Sequence, residues 1–148
     1  MLLEKIQSHP MPLAVHLGIE FLEAEADQVT GWMQTGPEHG TVGEAVHGGV
    51  IMAFADSLGG AAAFVGLPCD ARGTTTLESK TNFVAAAPVG SALVGVSQVL
   101  HRGRSTQVVH TRIETGEGRP VAFVTQTQMS LFPDAACPLE GRVADITA

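Results

Sequence analysis

One stretch of the chain, HGGVIMAFADSLGGAAAFVGL at residues 47–67, holds a histidine, paired glycines and a single carboxylate in otherwise apolar surroundings. Asp56 lies in the middle of that run. An ionised carboxylate left unpartnered in apolar surroundings is costly, so Asp56 needs a hydrogen-bonding partner or a crevice. His47, Gly48 and Gly49 stand where the run would begin as a helix. Free backbone N–H groups and the positive end of the helix dipole collect at such a start. Glycines let a ligand atom approach the backbone, and the combination can hold a developing oxyanion. The plainer reading is a capping histidine and a glycine turn. Asp56 follows Gly48 by eight residues, a rise of about 12 Å along a helix. The Asp56 carboxylate and the Gly48 N–H therefore cannot meet one carbonyl within one chain. They can if a second copy of the helix runs antiparallel beside the first, across a two-fold axis. Gly60 lies one turn after Asp56 on the same face, where its missing side chain leaves room for a substrate or for close packing.

The elements that must position these residues are legible from pattern. Residues 2–7 suit a short helix, and HPMPLAVHLG reads as a loop leading into a helical turn. IEFLEAEADQVTGWMQT divides into two strands near Ala26 and Asp27. Residues 48–64 are long enough for a helix of about five turns, apolar on nearly every side, which demands burial. After GLPCDARG, four stretches rich in Val, Thr and Phe alternate with period two: TTTLESKTNFVAAA, SALVGVSQVLH, STQVVHTRIE and PVAFVTQTQMSLF. Their short separations predict antiparallel strands joined by hairpin-length turns. In the last stretch Val121, Phe123, Met129 and Leu131 share one face, and Val124, Gln126, Gln128 and Ser130 the other. The prediction is an α+β fold, a curved antiparallel sheet of five to six strands wrapped around one central helix. Residues 1–133 form one domain in this reading, followed by a tail at 134–148.

Three stretches, GEAVHGGVIMAFADSLGGAA, TTLESKTNFVAAAPVG and VLHRGRSTQVV, resemble the hotdog-fold acyl-CoA thioesterases. The nearest group is the one typified by the phenylacetate-pathway thioesterases and one type of 4-hydroxybenzoyl-CoA thioesterase. The resemblance covers roughly residues 15–132. It implies that Asp56 is the catalytic carboxylate, acting as nucleophile or as general base for water, and that the Gly48 N–H polarises the thioester carbonyl. It further implies that His47 orients the site and that Thr76 supplies a hydroxyl able to position water. Carboxylate and N–H come from different subunits in that family, in line with the helix-rise argument. A homodimer or dimer of dimers is implied, with neither metal nor cofactor. One departure is Thr41, six residues before His47, where many members carry Asn or Gln. Thr41 is the candidate for a reduced version of that residue's role.

A coenzyme A substrate brings phosphates. Arg102, Arg104, Ser105 and Thr106, with His101, form the densest basic and hydroxyl cluster, at a turn containing Gly103. Arginine suits phosphate, and a solvated hairpin tip is the bland alternative. Arg72 and Lys80 are weaker candidates. Gly49 and Gly60 join the substrate-binding set. His9, His16, His39 and His110 lack metal-ligand spacing and read as surface or loop residues. Trp32, Phe54, Phe64, Phe83 and Phe123 read as core or acyl-pocket lining.

Bulk properties narrow the alternatives. The net charge of -7 argues against a nucleic-acid partner. Cys69 and Cys137 form neither a CxxC pair nor a zinc spacing, which favours a reducing cytoplasm. The apolar run is cut by Asp56 and rich in Gly and Ala, as suits a buried helix and no membrane span. Without a GxSxG elbow a serine hydrolase is disfavoured, and the HGG start with Asp argues against the hotdog dehydratases. The expected activity is hydrolysis of an aryl or aliphatic acyl-CoA thioester. The alternative from another class is a non-catalytic acyl-CoA binder or sensor of the same fold.

Overall fold

The sheet comes from six strands whose inward residues must cover one apolar helix. The computed structural model describes residues 1–133, so the tail expected at 134–148, with Cys137, lies outside the described residues. Two short helices, α1 (Leu2–Gln7) and α2 (Pro12–His16), precede strands β1 (Glu20–Ala24) and β2 (Gln28–Gln34). Then come the central helix α3 (Gly48–Val65) and strands β3 (Gly73–Phe83), β4 (Ala92–Arg102), β5 (Thr106–Thr115) and β6 (Pro120–Leu131). The strands form one antiparallel sheet in the order β1-β2-β4-β5-β6-β3. A six-stranded antiparallel sheet around one long helix is the hotdog arrangement expected from the sequence.

One pairing differs from expectation. β3 and β4 do not form a hairpin; β3 pairs with β6 at the far edge of the sheet. The connection 84–91 carries the chain across instead. It pairs with the loop before α3 on the way, through Val46 N–H to Ala87 O (2.8 Å) and Val89 N–H to Glu44 O (2.9 Å). Those two bonds fix the approach to the start of α3. Turn length alone could not separate a hairpin from this crossover.

α3 lies in the concavity of the sheet, with Phe54, Ala55, Leu58, Ala62 and Ala63 fully buried. Leu58 packs closely against the sheet. Gly31 on β2 and Gly95 on β4 are cross-strand partners, and a Cβ on either would collide with the Leu58 side chain. The missing side chains form the socket that lets the helix settle onto the strands. α3 is long and apolar enough to span a bilayer by length and composition, yet more than half of it is packed inside the protein. Its uncovered stripe is Gly49, Met52 and Asp56, with Gly48, Ala53, Gly60 and Phe64 half-buried beside it.

The aromatic and histidine readings divide. Phe54 is core and Phe64 lines the crevice described below. Phe83 is half exposed. Phe123 instead stacks on His110, with ring centroids 6.1 Å apart. His9 and His16 are exposed, and His39 lies in a loop as expected but is buried there, its Nδ1 accepting the Gly36 N–H (2.9 Å) and so closing the turn at 36–39. His110 is neither a surface nor a loop residue: it is half-buried within β5, where strand pairing sets it beside Thr125 and Phe123.

Leu58→Ala would empty the socket over Gly31 and Gly95. It should cost about 3 kcal/mol of stability, read as a lower urea midpoint with an unchanged m-value.

Candidate active site

Asp56 sits on the uncovered stripe of α3, so its carboxylate reaches solvent while its backbone stays in a buried helix. Its Oδ1 accepts two hydrogen bonds, from Thr76 Oγ1 at 2.8 Å and from Gln126 Nε2 at 2.6 Å. Thr76 Oγ1 in turn accepts from Gln128 Nε2 at 2.8 Å. The sheet register explains the grouping. Thr76 on β3 pairs with Gln128 on β6, and the register shifts between Thr76 and Glu78 immediately afterwards. Such irregularities re-aim side chains at functional edges. Asp56 borders a crevice of about 480 Å³. Ser57, Gly60, Ala61 and Phe64 form its helix wall and residues 73–76 its strand wall. Ile6, His9, Met11 and Leu13 roof it from the N-terminal segment.

Of the residues singled out from the sequence, the fold gathers Asp56, Thr76 and Gly60. A Cβ on Gly60 would meet nothing within 4 Å, so that glycine opens onto space. Gly59 is different: a Cβ there would overlap the Gln126 amide oxygen.

The start of α3 is a separate place within the chain. His47 is the N-cap, and its Nδ1 accepts the Gly49 N–H at 2.8 Å. The capping role is thus observed, and it occupies the Gly49 N–H. Among the described residues no acceptor meets the Gly48 N–H. The Phe83 ring lies over this glycine, 3.1 Å from where a Cβ would stand. Thr41 is exposed in the preceding loop, where its N–H bonds Ala45 O at 2.8 Å. It borders a different hollow, with Pro37, Glu44 and Val89, and does not join Asp56.

The basic cluster lies toward the other end of α3. Arg102 donates to Gln107 Oε1 (2.9 Å) and reaches the Ala62 carbonyl (3.5 Å). Gln107 Nε2 donates to the Ala63 carbonyl at 3.2 Å. Arg102 is therefore tied to the last turns of the helix. Arg104 pairs with Asp70 at 2.8 Å and lies over the Phe132 ring. Ser105 and Thr106 are exposed at the same hairpin.

Gln126 and Gln128 were missed as site residues. The available signal was the polar face of PVAFVTQTQMSLF: the two glutamines sit two apart on one strand face. That face is the one turned into the protein, and both side chains are buried.

The Thioesterase superfamily profile matches residues 43–122, and the chain belongs to that superfamily. It is a thioester hydrolase of the hotdog fold. No curated protein sequence matches it. Among solved structures it resembles the E. coli PaaI protein from the phenylacetic acid degradation operon, at 18% identity and TM-score 0.79, covering 87% of this chain and 91% of that one. It also resembles AziG of S. sahachiroi, at 27% identity and TM-score 0.78, covering 83% and 98%. A third likeness is a Streptococcus mutans protein bound to acetyl CoA, at 21% identity and TM-score 0.75, covering 84% and 97%.

Proposed function

We propose that the protein hydrolyses an acyl-CoA thioester, with Asp56 as the reacting carboxylate. The observation that carries this reading is the Asp56 carboxylate, held by Thr76 and Gln126 at the rim of a largely apolar crevice. Either Asp56 attacks the thioester carbonyl, expelling the CoA thiolate and leaving an anhydride that water opens, or it takes a proton from the attacking water. Both routes convert thioester and water to free acid and CoA thiol. The acetyl CoA in the Streptococcus mutans relative supports CoA as the carrier. The exposed hydroxyls and arginines of the β4–β5 hairpin, Arg102 and Arg104 with Ser105 and Thr106, are the groups we assign to its phosphates.

The oxyanion donor in this reading is the Gly48 N–H of the facing subunit. Two surfaces support such a dimer. β3 is an edge strand with an unpaired outer side, and it exposes Leu77 (54%) and Phe83 (50%). A long edge strand with exposed apolar residues is a template for pairing. The uncovered stripe of α3, with Met52 42% exposed, lies on the same side chain face as Asp56. Pairing β3 with its two-fold copy lays two α3 helices antiparallel, which spans the distance between Gly48 and Asp56.

Asp56→Asn should abolish CoA release across a panel of aryl, short-chain and long-chain acyl-CoAs, with the fold intact by circular dichroism. Full turnover by that variant would remove Asp56 from the chemistry.

Light scattering at micromolar concentration should give twice the 15.4 kDa chain mass or a multiple of it. Leu77→Lys on the β3 edge should produce monomers and lose turnover together. An active monomer would refute the shared site.

Gly60→Leu should fold, because a Cβ there meets nothing within 4 Å, the crevice lies beyond it, and helix propensity improves by about 1 kcal/mol. It should lower kcat/KM for bulky acyl groups at least about tenfold more than for acetyl-CoA.

A further inference from the structure

The buried face of β6 carries two glutamines between Val124 and Ser130. Gln126 and Gln128 are essentially without solvent contact. A buried amide is costly unless its groups are bonded, and Gln126 Oε1 has no partner among the described residues. Gln126 also requires glycine at position 59, inside a helix, because a Cβ there would overlap its amide oxygen. Two unfavourable features are thus retained around one side chain. What that side chain gains is the 2.6 Å bond from Nε2 to Asp56 Oδ1.

The direction of every proton follows from the groups present. Asp56 as a carboxylate only accepts, so the Gln126 amide must present Nε2 to it; the flipped amide would set two acceptors face to face. Gln128 Nε2 only donates, so Thr76 Oγ1 accepts from it. The single Thr76 proton then points to Asp56 Oδ1 at 2.8 Å. Gln128, Thr76 and Asp56 form a chain in which each bond is polarised toward the carboxylate. Two donors converge on Oδ1, and Oδ2 has no donor among the described residues. Rotating the carboxylate would break both bonds at once.

We infer that Gln126 and Gln128 are positioning residues that lock Asp56 Oδ1, direct the Thr76 proton to it, and leave Oδ2 as the oxygen that reacts. The inference rests on Asp56 being the reacting carboxylate. It also changes the task of Thr76. The family resemblance gave that hydroxyl to water, whereas here its proton is committed to Asp56 by the donor behind it.

The test is steady-state CoA release by Gln126→Met, Gln128→Met, Thr76→Val, Thr76→Ser and the Thr76→Val/Gln128→Met pair, each with a thermal melt. Gln126→Met should lower kcat about 10- to 100-fold, the scale set by slight misplacement of a reacting group, with KM within about twofold. Its melting temperature should not fall, because an orphaned buried amide is removed with the bond. Thr76→Val should lower kcat, and Thr76→Ser should restore most of the loss. Gln128→Met should lower kcat only while the Thr76 hydroxyl is present, adding nothing in the Thr76→Val background. Wild-type kcat in both glutamine variants, beside an inactive Asp56→Asn, would overturn the relay and leave the role of Asp56 standing. Additive losses in the double variant would overturn the action of Gln128 through Thr76. An active Asp56→Asn would instead overturn the reading on which the relay depends.

Discussion

The packing of Leu58 into the Gly31–Gly95 socket is the contact on which the arrangement depends. It lets an apolar helix lie close in the hollow of the sheet. Once α3 is seated there, its rotation about its own axis is set. Phe54, Ala55, Leu58 and Ala62 face the strands, and the stripe through Gly49, Met52 and Asp56 faces out. A carboxylate in the most hydrophobic segment of the chain is therefore no burden on the core. It occupies the one stripe that the core does not cover.

The candidate site is assembled at the seam between that stripe and the sheet edge. β3 lies at the edge beside β6, so Thr76 and Gln126 reach the same carboxylate on α3, with Gln128 behind Thr76. The crossover 84–91 makes this possible. Had β3 paired with β4 as a hairpin, β3 would lie in the middle of the sheet, away from the β6 glutamines. The same crossover holds the loop before α3 and so sets where the free Gly48 N–H stands. Strand order and site geometry are two consequences of one connection.

Much of this was legible in the sequence because it rests on local pattern. The period-two stretches named the last four strands, the split near Asp27 gave β1 and β2, and the length of the apolar run set α3. Asp56 stood out as a charge out of place, and Gly60 as a gap one turn further on. The hairpin between β3 and β4 was misread, since connection length is compatible with several strand partners. His39 was read as a surface or loop residue; it does lie in a turn, but nothing local revealed that its ring nitrogen would close that turn in the interior.

By itself, the sequence determined the elements, the isolation of one carboxylate in an apolar helix, and the helix rise that keeps Asp56 and Gly48 apart within a chain. These follow from periodicity and fixed helix geometry, which act between near neighbours. Only the tertiary structure decided that Gln126 and Gln128 point inward, that Gln126 meets Asp56 while Gln128 meets Thr76, and that Gly59 is needed to admit Gln126. Only it tied Arg102 to the end of α3 and Arg104 to Asp70. The physical reason is one of range. A strand pattern states which residues share a face, but which face turns inward, and what it meets there, is set by strand order and by a helix seventy residues distant in the chain.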